Sequence, residues 1–213
     1  MIIEFYTNNF YTDQEMKILL KSIKDNYKPS SILVSDYHVK SAKYFFLHDK
    51  INIYIDYPLG ISSSYIRLKS IENIADQSGI LSIQAPANLL VNRKYDSIRK
   101  EIINIKNIIP DNTEIRYILD YRKFNHNILH RFCSILKENN IHIIYPSNGF
   151  FLDNIYDNIV ASKYLEQKAN VLSIFNGNIW TQEHVDLIIK SSPYGISVPY
   201  EHSLQLLKNS NLL

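Results

Sequence analysis

The chain has 213 residues, of which 46% are hydrophobic and 21% charged, with only five glycines; this is globular composition, at a length that suits one α/β domain over residues 1–213. A formal charge of +2, with Lys and Arg scattered rather than clustered, excludes the broad positive field of a nucleic-acid binder. The opening MIIEFYTNNF lacks the basic segment and apolar run of a secretion signal, and no apolar run approaches the roughly 20 residues that span a bilayer, so a soluble, cytoplasmic protein without a membrane partner is expected.

In chain order, short β-branched apolar runs predict strands at IIEFY (2–6), SILVS (31–35), INIYID (51–56), GILSIQ (79–84), EIRYILD (114–120), IHIIY (141–145), NVLSIF (170–175) and YGISV (194–198). Between them EMKILLKSI, SYIRLKSIENIADQ, YDSIRKEIINIKNI, NILHRFCSILKEN and HVDLIIKS repeat apolar residues every three to four positions, the stripe of a helix packed on a sheet. Thr12 with Glu15, and Thr181 with Glu183, mark helix starts. Cys133 is the only cysteine and sits within a helical stripe, which excludes an intrachain disulfide and a cysteine-rich metal site and reads as a buried structural thiol.

Eight strands alternating with helices can close into a barrel or open into a doubly wound sheet. The phosphate-loop patterns GxGxxG and GxxxxGK[ST] are absent from the sequence, which removes the usual reason for the open form. Count and length then predict an α/β fold consisting of a single (β/α)8 TIM barrel.

Five segments, in order, resemble deoxyribose-phosphate aldolase across nearly the whole chain. YPLG at 57–60 followed by SGILSIQ is similar to the family's Phe-Pro-x-Gly segment and its Gly-Ala-Asp-Glu-x-Asp strand. EIRYILDYRKF is similar to the Lys-hydrophobic-Ile-x-Glu-Thr strand, and IIYPSNGF stands where the family has Val-Lys-Thr-Ser-Thr-Gly. FNGNIWT and PYGISV are similar to the Gly-Gly-Ile-Arg-Thr and Arg-x-Gly-x-Ser segments.

The resemblance implies a changed mechanism. The family's lysine forms an imine with an aldehyde, which a phenol cannot do, and Tyr145 stands at that position. The second lysine falls on Ile174, the proton-handling Asp on Gln84, and a third lysine on Arg116, which does not release its proton at physiological pH. Lys40, Lys94 and Lys123 lie in or beyond loops after strands, where water keeps an amine charged.

Barrel sites sit at the C-terminal ends of strands, which directs attention to Glu4, Asp36, Asp56, Gln84, Arg116, Asp120, Tyr145, Asn176 and Ser197. Strand alternation puts Arg116 and Asp120 on one face, inward by the resemblance, where Glu4 or Asp120 can balance the guanidinium. Arg116 then either completes a buried ion pair or forks onto a substrate anion, with Tyr145 moving a proton. The family's phosphate cradle maps to Gly149, Gly177 and Ser197, with Asn178 and Val198 replacing two of its small residues. Asp36 and His38 form an isolated Asp-x-His, and the other histidines lack ligand spacing, so neither metal nor cofactor is expected.

Two readings remain. One is a divergent aldolase-like barrel acting without an imine, as lyase, isomerase or cyclase, on a small carbonyl or anionic, including phosphorylated, metabolite in a biosynthetic pathway. The other is a catalytically inactive pseudoenzyme serving as binding or scaffold protein; a displaced lysine would make a third, a true aldolase. Family members often form dimers, so a homodimer is an expectation of the resemblance.

Overall fold

The protein is described by a computed structural model covering residues 1–7, 11–150 and 153–212. Strands β1 (Ile2–Tyr6), β2 (Ser31–Val34), β3 (Ile51–Ile55), β4 (Ile80–Gln84), β5 (Glu114–Ile118), β6 (Ile143–Tyr145), β7 (Leu172–Asn176) and β8 (Gly195–Pro199) follow one another around a closed barrel. Each pairs in parallel with the next, and β8 pairs in parallel with β1, with Ser197 opposite Glu4. Closure removes the unpaired edges that an open sheet would expose, and this is the (β/α)8 barrel expected from the sequence.

Parallel neighbours require long crossovers. These carry α1 (Asp13–Asn26), α2 (Val39–Phe45), α3 (Ser64–Ile74), α4 (Ala87–Val91), α5 (Tyr95–Ile108), α6 (His126–Glu138), α7 (Ile155–Ala169) and α8 (Gln182–Ser191), and α9 (Tyr200–Asn209) follows the last strand. Thr12 and Glu15 form the predicted capping box, and Thr181 accepts from the His184 amide. Such caps satisfy amides that a helix start otherwise leaves open, at about 1 kcal/mol each.

Alternation along the strands sorts the side chains into two compartments. Ile32, Ile53, Leu81, Ile83, Ile144, Phe175 and Ile196 face outward and pack with helix residues such as Met16, Leu20, Ile71, Ile102, Phe132 and Leu136, all at most 2% exposed. Burying side chains of this size contributes about 1.5–3 kcal/mol apiece, so this shell holds most of the fold. The inward set contains a separate apolar cluster of Leu33, Tyr54, Ile118, Ile143, Tyr145 and Ile174.

The loop after β3 is clamped at the C-terminal mouth. Arg67 of α3, 1% exposed, donates from Nη1 to Asp56 Oδ2 at 2.9 Å and lies 3.0 Å from Glu101 of α5, while the Ser62 hydroxyl and amide bind Asp56. Gly60 closes this loop at φ +65°, where a Cβ would lie 2.1 Å from the Ala85 carbonyl oxygen. Only glycine fits that approach, which explains the last residue of YPLG.

Candidate active site

Glu4, in the middle of β1, is fully buried, and its carboxylate collects five hydrogen bonds. Oε1 accepts from Tyr145 Oη at 2.9 Å and Ser197 Oγ at 2.7 Å. Oε2 accepts from Ser31 Oγ at 2.6 Å, Asn52 Nδ2 at 2.8 Å and Arg116 Nη1 at 3.1 Å. Register explains the convergence, since Ser31 and Ser197 are the direct neighbours of Glu4 on β2 and β8.

Tyr145 Oη is the second node: besides donating to Glu4, it accepts from Arg116 Nη1 at 3.0 Å, Asn52 Nδ2 at 3.0 Å and Ser82 Oγ at 3.4 Å. Arg116 also binds Glu114 through Nε. Seven of the eight strands thus send a polar side chain into one network, and β7 contributes Ile174 to the apolar cluster instead. Burial disfavours the Arg116 guanidinium, but Tyr145, Glu4 and Glu114 together more than offset it and hold it protonated. Burial, reinforced by Glu4, keeps the Tyr145 phenol neutral against the pull of Arg116. A neutral phenol whose proton is given to Glu4 is a structural donor here, not a free base.

Of the two partners expected for Arg116, the structure selects Glu4. β5 ends at Ile118, and Asp120 lies two residues beyond, where it accepts from Arg122 Nε at 3.0 Å and Asn148 Nδ2 at 3.3 Å, with Lys123 Nζ at 3.5 Å. Gln84, 2% exposed, packs its Cγ beneath Gly60, and its Oε1 has no hydrogen-bond partner among the described residues.

Above the network, at the C-terminal ends of the strands, opens a cavity of about 540 Å³. Leu33 and Tyr54, members of the interior apolar cluster, line its inner end, and Tyr6, Tyr11, Tyr57, Phe150, Trp180 and Tyr200 supply further rings. Gly149, Asn176, Asn178 and Glu201 also line it, whereas Glu4, Arg116 and Tyr145 do not. No lysine is among the described residues lining it. Tyr6 Oη donates to Asn178 Oδ1 at 3.2 Å and Tyr57 Oη to the Asn148 carbonyl at 2.9 Å. Burial raises both phenols above the usual tyrosine range, Tyr57 with help from Tyr6 and Tyr54, so both stay neutral hydroxyls at neutral pH. A second depression of about 500 Å³ lies at the opposite end of the barrel, around Thr113, Glu114 and Leu172, away from the end where barrel sites form.

The cradle positions separate. Gly149 lines the cavity, but its amide donates to Ser147 Oγ at 3.4 Å. The Gly177 amide donates to the Ser197 carbonyl at 3.3 Å, and the Ser197 hydroxyl is held by Glu4. Asn176 reaches the cavity wall and Ser197 belongs to the inner network. The mouth aromatics and Glu201 were not singled out from sequence, although YPLG and FNGNIWT contain Tyr57, Asn178 and Trp180.

Among the described residues no group of three or more His, Cys, Asp or Glu side chains is placed to hold a metal ion, and no helix is long and apolar enough to cross a membrane.

No protein-family model and no curated protein matches this sequence. Solved structures do match its fold. An aldolase designated QR15 is similar at a TM-score of 0.82 and 18% identity, with 100% of this chain and 96% of that one covered. A deoxyribose-phosphate aldolase structure from Coccidioides immitis gives 0.83 at 13% identity, covering 100% of this chain and 85% of that one. A tetrameric deoxyribose phosphate aldolase from Aeropyrum pernix gives 0.77 at 13% identity, with 99% and 90% covered. The resemblance read from five short segments therefore holds for the fold of the whole barrel.

Proposed function

We propose that this protein is an aldolase-like barrel that works without an imine and handles a small carbonyl compound at its mouth, in a lyase, isomerase or cyclase reaction. The observation that carries this reading is the fate of the strand-end position on β6. Tyr145 stands there fully buried, bonded to Glu4, Arg116 and Asn52, and no lysine is among the described residues that line the cavity. An imine needs an accessible amine that can lose its proton.

The cavity supports proton-transfer chemistry instead. Tyr6 and Tyr57 are neutral phenols that would turn from Asn178 and the Asn148 carbonyl to donate to a bound carbonyl oxygen, and Glu201 is the one carboxylate among the described lining residues, suited to receive a proton from carbon. Arg116 and Tyr145 act in this reading through the barrel interior, by holding the strand ends that present the mouth residues. A cytoplasmic setting, a small-molecule partner and a homodimer belong to the same proposal. A second reading, binding without turnover, is favoured by the closure of the inner network, whose members other than Glu114 are at most 3% exposed.

Borohydride reduction in the presence of acetaldehyde or deoxyribose 5-phosphate, followed by intact mass, tests the imine directly. No adduct is expected, and a stoichiometric adduct on a lysine overturns the reading. Deuterium exchange into the α-carbon of a bound carbonyl compound, lost in Glu201→Gln, separates enzyme from binding protein; binding without exchange supports the second reading.

A further inference from the structure

We infer that the mouth cavity takes a compound without negative charge that bears a planar ring and a hydrogen-bond donor, and not a phosphorylated sugar. This rests on the reading that the mouth is where a small molecule is handled, and it names the class of that molecule.

The volume, about 540 Å³, is that of a site for a drug-sized or smaller ligand. Its walls are ring-rich: Tyr54 and Tyr57 lie 4.6 Å apart between centroids at 40°, and Phe150 meets Tyr57 edge-on at 6.0 Å and 85°. Such surfaces favour another flat apolar body through offset-stacked and edge-to-face contacts.

Charge points the same way. Among the described lining residues there is no Lys, Arg or His, and the single formal charge is that of Glu201, which repels a phosphate. The backbone and hydroxyl donors that a phosphate would need are already used: Gly149 N by Ser147, Gly177 N by the Ser197 carbonyl, and Ser197 Oγ by Glu4.

Asn176 supplies the polar contact. It is 2% exposed, lines the cavity, and its Oδ1 has no hydrogen-bond partner among the described residues. Its orientation is fixed by Nδ2, which donates to the Ser147 carbonyl at 3.4 Å, and by Gly149, where a Cβ would come within 2.6 Å of Oδ1. A buried acceptor left without a donor is costly, so a ligand O–H or N–H directed at Oδ1 gains what the free protein lacks.

The chain has one tryptophan, and Trp180 lines the cavity, so its single indole N–H resonance reports occupancy. Titration with 2-naphthol is expected to shift that resonance, with affinity about threefold to tenfold above that of 2-methoxynaphthalene, the worth of one neutral hydrogen bond. Asn176→Leu is expected to abolish this preference. Asn178→Phe, at a half-buried rim position, is expected to weaken both compounds by filling the cavity, which keeps the test valid if the buried substitution fails to fold. Inorganic phosphate and deoxyribose 5-phosphate are expected neither to move the resonance nor to compete. Competition by either, or no shift with either naphthalene, overturns the inference. A borohydride adduct would instead overturn the non-imine reading and leave the ring site standing.

Discussion

Replacing Glu4 by Gln removes one charge from the centre of the barrel without changing its volume. Five donors now share two carboxylate oxygens. Glutamine offers one carbonyl oxygen and one amide group that is itself a donor, so whichever way it turns, its amide faces two or three donors. The hydroxyls of Ser31 and Ser197 can rotate to relieve part of this conflict. Tyr145 is less able to, since it already accepts from Arg116 and Asn52, and Arg116, 3% exposed, keeps Glu114 as its one charged partner among the described residues. Breaking a buried ion pair on one side costs about 3–5 kcal/mol, and the rotating hydroxyls and Glu114 place this case toward the lower end. Against a total of about 5–15 kcal/mol for a typical domain, the loss is large. Urea unfolding followed by circular dichroism measures it, with Tyr145→Phe alongside. That substitution removes one hydroxyl bonded to charged groups and is expected to cost about 1.5–3 kcal/mol. A Glu4→Gln protein within about 1 kcal/mol of the parent would refute the hub.

His38 is 1% exposed, and burial lowers its imidazole below the usual histidine range, with Asp13, 4.0 Å away, only partly opposing this. The folded state therefore binds its proton less readily than the unfolded chain, whose histidine titrates near pH ~6.5. The stabilisation is complete above that pH and is lost as pH falls from there toward the folded value; the slope of stability against pH in this window is expected to be shallower in His38→Gln, and an unchanged slope contradicts the assignment. Burial pushes the Cys133 thiol up to about 12, so Ellman's reagent is expected to label it only after unfolding, and rapid labelling of the native protein would show that α6 does not shield it.

The barrel was legible because its strands are unusually uniform. β-branched runs bounded by polar turns mark all eight, and the stripe of YDSIRKEIINIKNI coincides with α5 to the residue. α7 and α9 escaped notice for a physical reason: α7 buries Asn158, Ala161 and Ser162, and α9 buries Ser203 between Tyr200 and Leu207, so the buried face carries small or polar residues where periodicity looks for apolar ones. In the site, Arg116 and its Glu4 partner followed from strand alternation and the resemblance. Asp120, buried just beyond the end of β5, is held by Arg122 and Asn148 rather than by Arg116, a choice that alternation alone does not make. Ser31, Asn52 and Ser82 form no motif and become partners only when the barrel brings distant strands together. The mouth tyrosines were hidden by abundance, since 16 tyrosines give no single one prominence before the cavity is seen.

The carboxylate at the hub also sets an order of events during synthesis. Glu4 is made well before the residues it binds, since its Ser197 partner lies 193 positions later, Arg116 lies 112 later and Tyr145 lies 141 later. Until β8 arrives, the nascent chain carries an acid that has no enclosed place to go, and contacts of such separation are made late and slowly. Water can keep that acid solvated in the meantime, so the partly made chain has reason to leave β1 undocked. The same group that binds the finished barrel together thereby discourages its early closure around an incomplete set of strands.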